Sequence, residues 1–169
     1  MQIVNVVPYS NVWREEFATE KAKISAALSE VNVSKIHHVG STAVPGMCAV
    51  PIIDILVEVE NLEVLDGASH LLSALGYFCE GEYGVEGRRY FHTRAPGIAH
   101  RIYAFASSSK KVDEYLAFRD YLIVFPCVAA EYCHLKKECA NVCGGDMNVY
   151  SESKNTFISA HVQKAMARW

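Results

Sequence analysis

Several features that would mark large functional classes are missing from this sequence. Although 51% of its residues are hydrophobic, no uninterrupted apolar run approaches the roughly 20 residues that a membrane-spanning helix needs. The opening "MQIVNVVPYSNVW" also lacks the basic-then-apolar pattern of a secretory signal, so a cytoplasmic protein without membrane contact is expected. No G-x-G-x-x-G follows an early strand and no βαβ series is in view. A dinucleotide site is therefore excluded, even though Tyr150 and Lys154 in "YSESK" have the spacing of the short-chain dehydrogenase pair. The formal net charge of −3 argues against general nucleic-acid binding, which calls for a basic surplus. Any anion site must be local. The six cysteines include no Cys-x-x-Cys pair; four of them share a late stretch with His134, but the reading preferred to zinc is that of small buried hydrophobes. Repeats, low-complexity tracts and linkers are absent too, so residues 1–169 are expected to form one domain that buries a core without disulfides.

What is present reads as an α+β chain. Ser10 can cap a helix over residues 11–30, whose Trp13, Phe17, Ile24, Leu28 and Val31 recur at helical spacing. "VSKIHHVG" predicts a strand that runs into a Gly-Ser turn, and "PIIDILVEVE" a second, rich in β-branched residues. Residues 61–75 predict a helix stopped by Gly76, and "YFCEGEYG" a short strand or turn. "RRYFHTRAPGIAHRIYAFA" predicts a hairpin turning at Ala95-Pro96-Gly97. Three helices follow, over 113–124 up to Pro126, over 127–142 and over 151–166, with "NVCGGDMNVY" as the loop between the last two. Strands cluster in the middle and helices lie at both ends.

Within this frame a few residues carry chemistry. Gly40 removes the side chain where backbone must turn or meet a ligand, and Ser41 adds a hydroxyl beside backbone N–H groups, a setting that suits phosphate oxygens. Asp54 stands just inside an apolar strand, where an ionised carboxylate needs a cation, a metal or hydrogen-bond donors. It is either a ligand-holding group or a strand-end carboxylate satisfied by its neighbours. Alternation puts Asp54, Leu56 and Glu58 on one face and Ile53, Ile55, Val57 and Val59 on the other. Glu58 lies about 13 Å beyond Asp54, at roughly 3.3 Å per residue, too far to share one metal ion. Arg88, Arg89, His92, Arg94, His100 and Arg101 concentrate positive charge in the hairpin; they either grip phosphate or form a solvated face balancing Glu80, Glu82 and Glu86. His37 and His38 point to opposite faces, and His38, nearer the turn, is the candidate for the site.

Taken together, "VPYSNVWREEF", "HVGSTAVPGM", "PIIDILVEV", "RRYF", "YLAFRDYL…P…EYCHLKK" and "YSESKNTFI" resemble the GrpB-like family, a branch of the nucleotidyltransferase superfamily, over nearly the full chain. The resemblance implies a nucleotidyltransferase-like fold: a central mixed sheet with flanking helices and a helical C-terminal region. In it a Gly-Ser turn opening a helix contacts nucleotide phosphates, here Gly40 and Ser41, while a strand aspartate, here Asp54, holds Mg²⁺ or Mn²⁺. His38, Arg88, Arg89, His100 and Arg101 are the further candidates around a nucleotide or other phosphorylated small molecule. The chain departs from the superfamily pattern at Leu56, where a second carboxylate is usual, and from the family pattern at Val50, where lysine is usual. Near "HRIY" it has Arg101 and Tyr103 where further histidine is usual. Two functions follow from the resemblance, a metal-dependent nucleotidyl transfer to an acceptor and a nucleotide- or phosphometabolite-binding module that has lost transfer.

Overall fold

The computed structural model describes residues 4–94 and 97–168. Five strands, β1 (Val33–Val39), β2 (Ile52–Val59), β3 (Tyr77–Cys79), β4 (Arg89–Thr93) and β5 (Ala99–Ala106), form one mixed sheet in the order β1-β2-β5-β4-β3. β2 and β5 run parallel; the other pairs are antiparallel. The helices are α1 (Val12–Ala27), α2 (Leu62–Gly67), α3 (Ser69–Ser73), α4 (Lys110–Val124), α5 (Pro126–Val142) and α6 (Met147–Arg168).

Alternation along β2 decides what lies on each side of the sheet. Ile53, Ile55, Val57 and Val59 are buried in the main core with Trp13, Ile24, Leu65 and Leu72 of α1 to α3 and with Phe91 and Ile102. Leu56 faces the other way, buried with Val39, Phe105 and Val112 of α4. A further cluster of Val44, Met47, Leu122 and Tyr132 joins α4 and α5 to the loop after β1. Asp54 shares the Leu56 side, so it opens toward the space that α4 to α6 close over.

Several expected boundaries shift for local reasons. The helix expected over 61–75 is two, α2 and α3, parted at Ala68 (φ −107°). Asn61 caps the first by accepting from the Glu63 and Val64 N–H groups, and Gly67, a poor helix former, stands at the break. Gly76 (φ 98°) ends the second as expected. Pro126 both follows α4 and opens α5 at its first position, where its missing N–H is harmless. The expected loop through residue 150 is shorter, because Asp146 accepts from the Asn148 and Val149 N–H groups and starts α6 at Met147. Ala95 and Pro96 of the expected hairpin turn lie outside the described residues.

The cysteines need one correction. Cys48 and Cys133 are joined as a disulfide, tying the loop before β2 to α5, where six unpaired thiols were expected. A link across 85 residues leaves no spacing signature in sequence. Cys139 and Cys143 are buried among Val4 and Tyr150 as small apolar groups, while Cys79 and Cys127 are exposed. Among the described residues no group of three metal-ligating side chains occurs, and no helix is long and apolar enough to cross a membrane.

Candidate functional site

The site begins where β1 stops. Gly40 adopts φ 74° and ψ −172°, a conformation essentially reserved for glycine. A Cβ there would also collide with the Asp54 carboxylate and come within 3.2 Å of its Cβ. The close approach follows from register. β1 pairs with β2 so that Val39 lies opposite Asp54, and the next residue crosses over that side chain. Ser41–Ala43 then form a single 3-10 turn, not the full helix expected there, so the turn offers no helix dipole of useful length.

On the other side of Asp54, the parallel register places Arg101 beside it and Tyr103 two residues on, along the same face. The Tyr103 hydroxyl donates to Asp54 Oδ1 at 3.2 Å. Burial pushes the Asp54 carboxyl above its ordinary range, opposed by Arg101, Lys154, the Tyr103 hydrogen bond and Lys136. One carboxylate thus sits in a field of cations.

Asp54 lines two adjacent spaces that share five lining residues, a larger outer one and a smaller inner one. The outer, about 450 Å³, is lined by Gly40, Ser41, Asp54, Arg88, Arg101 and Lys154, and its walls include Tyr103, Tyr115, Phe118 and Tyr132. The inner, about 60 Å³, shares Ser41, Asp54, Arg101, Ser151 and Lys154 and adds Lys136 and Tyr150. Arg88 lies 5.4 Å from the Tyr90 and 5.7 Å from the Tyr103 ring centroid, and its guanidinium donates to the Glu82 and Tyr83 carbonyls. Lys154 covers the Tyr150 ring at 4.3 Å; burial lowers its pKa and Asp54 opposes that.

Lys136 is only 1% exposed. Its Nζ donates to the Cys48 carbonyl and lies 4.8 Å from the Tyr132 ring centroid. Burial, then Lys154, lower its pKa to about 7, with Asp54 pulling the other way. Among the described residues, no carboxylate lies within ion-pair distance of it.

Three of the expected site residues are elsewhere. Arg89 alternates with Arg88 and faces α2, where it holds Asp66 at 2.7 and 3.1 Å. His100 alternates with Arg101 and bonds Glu16 of α1 at 3.0 Å. Adjacent strand residues cannot share a face, so the hairpin's positive charge is split. His92 and Arg94 are balanced by Glu80. His38 stands behind the turn, stacked on Phe17 and 2.9 Å from Thr42 Oγ1; it supports Thr42 and does not line the cleft. His37 pairs with Glu58 at 2.5 Å, farther along the sheet. Gly40, Ser41, Asp54, Arg88 and Arg101 are brought together. Lys136, Lys154 and the tyrosines of the walls were not foreseen. Lys136 could have been: it falls between Tyr132 and Cys139 on the apolar stripe of α5, where a lysine is out of place.

A divalent cation at Asp54 would have this single carboxylate from the sheet. Leu56, in the position of the usual second one, is fully buried in apolar contact, and Glu114 lines the same outer space. This donor set fits Mg²⁺ carried largely by a ligand's phosphates and water, not a closed protein cage.

A five-stranded mixed sheet that presents one aspartate and a glycine turn to a cleft closed by helices defines a class of small α+β fold. The GrpB protein family model matches residues 3–164, and the chain belongs to this family. It is 34% identical over 166 residues to the UPF0157 protein YqkA of Bacillus subtilis, covering 98% of this chain and about half, 48%, of that protein. It is 32% identical to the glutamate-rich protein GrpB of Alkalihalophilus pseudofirmus, with 92% and 91% covered. The crystal structure of the conserved protein GrpB from Enterococcus faecalis superposes with a TM-score of 0.91 at 33% identity, covering 97% of this chain and 98% of that one. A more distant match, 27% identical, is a dephospho-CoA kinase of Mycolicibacterium paratuberculosis, of which 46% is covered.

Proposed function

We propose that this protein binds a nucleotide or similar phosphorylated small molecule in the Asp54 cleft, as a nucleotidyltransferase-like protein of the GrpB family. The observation that carries the reading is local charge. Arg101, Lys154 and Lys136 all act on one aspartate, and Arg88 lines the outer space with it, in a chain whose net charge is −3. Such a concentration of cations on an acidic protein is expensive unless an anion compensates it. The outer space is large enough for a nucleoside, and its tyrosines offer flat apolar surface.

The residues divide the work. Arg101 and Lys154 neutralise phosphate oxygens beside Asp54, Arg88 guards the mouth, and Gly40 lets the backbone pass close to the ligand. Asp54 is the residue that would hold Mg²⁺ or Mn²⁺; bound there, the cation would supply charge neutralisation and orientation for transfer. With one sheet carboxylate, binding without turnover is the second reading, and Leu56 is the residue that favours it.

Asp54→Asn tests the metal role. The variant is expected to fold and to lose the part of nucleotide affinity that depends on Mg²⁺, because an amide is a poorer ligand than a carboxylate for a hard cation. Calorimetric titration of nucleoside triphosphates with and without Mg²⁺ reads this directly. Equal Mg²⁺ dependence in both proteins would remove Asp54 from metal binding, and absence of nucleotide binding by the unaltered protein would end the reading altogether.

A further inference from the structure

The inner space is small and lined largely by polar side chains, three of them basic, and Lys136 reaches it without a carboxylate partner among the described residues. A lysine 1% exposed ordinarily has a carboxylate partner; this one has a backbone carbonyl and a tyrosine ring. Apolar residues of similar length would fill the position better, so the ammonium is retained at a cost to folding. Lys154 and Arg101 line the same 60 Å³ space. At roughly 10–15 Å³ per water-sized occupant, it takes about four to six atoms, the size of one phosphoryl group and far less than a nucleoside. Arg101 together with two lysines favours a multiply charged phosphoryl group over a singly charged carboxylate.

We propose that the inner space is a subsite for a terminal phosphoryl group, held by Lys136, Lys154 and Arg101. It orients the ligand phosphate-inward, with the organic body outward against Tyr103, Tyr115 and Tyr132. The inference rests on the phosphorylated-ligand reading above and sharpens it. The bond joining phosphate to body then lies at Asp54, where the two spaces meet. Lys136 also fixes the floor of the subsite, since its Nζ bonds the Cys48 carbonyl while Cys48 is linked to Cys133 one turn away on α5.

The test uses the full chain with three probes: inorganic phosphate, adenosine 5′-monophosphate and adenosine. Lys136→Met is expected to weaken phosphate and the monophosphate about ten- to hundredfold, the range for a lost charge-assisted hydrogen bond, and to leave adenosine unchanged. Lys154→Met, at a half-buried side chain, carries the same test should Lys136→Met fail to fold. If the unaltered protein binds the monophosphate and the lysine variants bind it equally well, the subsite is overturned while nucleotide binding stands. Lysine-dependent phosphate binding without any affinity for nucleotides would support the subsite and overturn the nucleotide reading. No binding of phosphate or monophosphate by the unaltered protein would overturn the subsite.

Discussion

Gly40 is the residue on which the site's geometry turns most sharply. Its backbone conformation and the nearness of Asp54 both forbid a side chain, so Gly40→Ala is expected to cost about 1–3 kcal/mol and to displace the carboxylate, abolishing ligand binding. Gly46 separates the two effects. It too has a positive φ, 79°, but a Cβ there would meet nothing within 4 Å. Gly46→Ala is expected to lower the denaturant midpoint while leaving ligand affinity intact. If Gly40→Ala also kept full affinity, the close approach to Asp54 would be irrelevant to binding. His38, behind the same turn, makes a pH-dependent contribution. Burial and Arg119 lower its pKa to about 4 from 6.5. Between these values the unfolded chain binds a proton that the native protein does not. Stability is therefore full above about pH 6.5 and is lost as pH falls toward 4, on the order of 3 kcal/mol in total. Comparing unfolding free energies of the unaltered protein and His38→Gln from pH 7 to pH 4 should show this slope only in the former; parallel profiles would contradict it.

α5 is the element that links the sheet's site to the helical half of the protein. Its buried face carries Tyr132, Lys136 and Cys139, and the Cys48–Cys133 disulfide fastens it to the loop that leads into β2. Closing a loop of 85 residues restricts the unfolded chain, and the double variant Cys48→Ser, Cys133→Ser is expected to lose about 2–4 kcal/mol. Thermal melts with and without reductant check this; a melting temperature indifferent to reductant would mean that the bond contributes no stability. α6 completes the enclosure. The Asp146 cap starts it early enough for its first two turns to bring Tyr150, Ser151 and Lys154 to Asp54.

Across the molecule, charge is distributed in opposition to its total. The protein is slightly acidic overall, yet cations from β5, α5, α6 and the segment just before β4 line one cleft, together with Lys111 of α4, which pairs with Glu114. Attraction of a polyanion to such a cleft is screened by salt. Phosphate affinity is therefore expected to fall as ionic strength rises from about 0.01 M to about 0.1 M, when the screening length shrinks from about 30 Å to about 10 Å. Calorimetric titrations at the two salt levels test this, and a salt-independent affinity would mean that the cations do not contact the ligand. A net charge that argues against general nucleic-acid binding is thus compatible with the proposed local anion site.

Local sequence determined the strands, the faces of β2 and the Gly40-Ser41 turn, because a period of two and a glycine-specific turn are written in consecutive residues, while the pairing of β1 with β2 brought that turn onto Asp54. It also exposed the basic hairpin, but adjacent arginines invited the joint assignment of Arg88 with Arg89 and of His100 with Arg101, which alternation forbids. Only tertiary structure decided that β5 lies parallel to β2, setting Arg101 beside Asp54, that Cys48 meets Cys133, and that Lys136 and Lys154 arrive from helices some 80 to 100 residues away. Such contacts depend on how whole elements pack. The burial that lowers the pKa of Lys136 and raises that of Asp54 exists only once α5 and α6 have closed over the sheet.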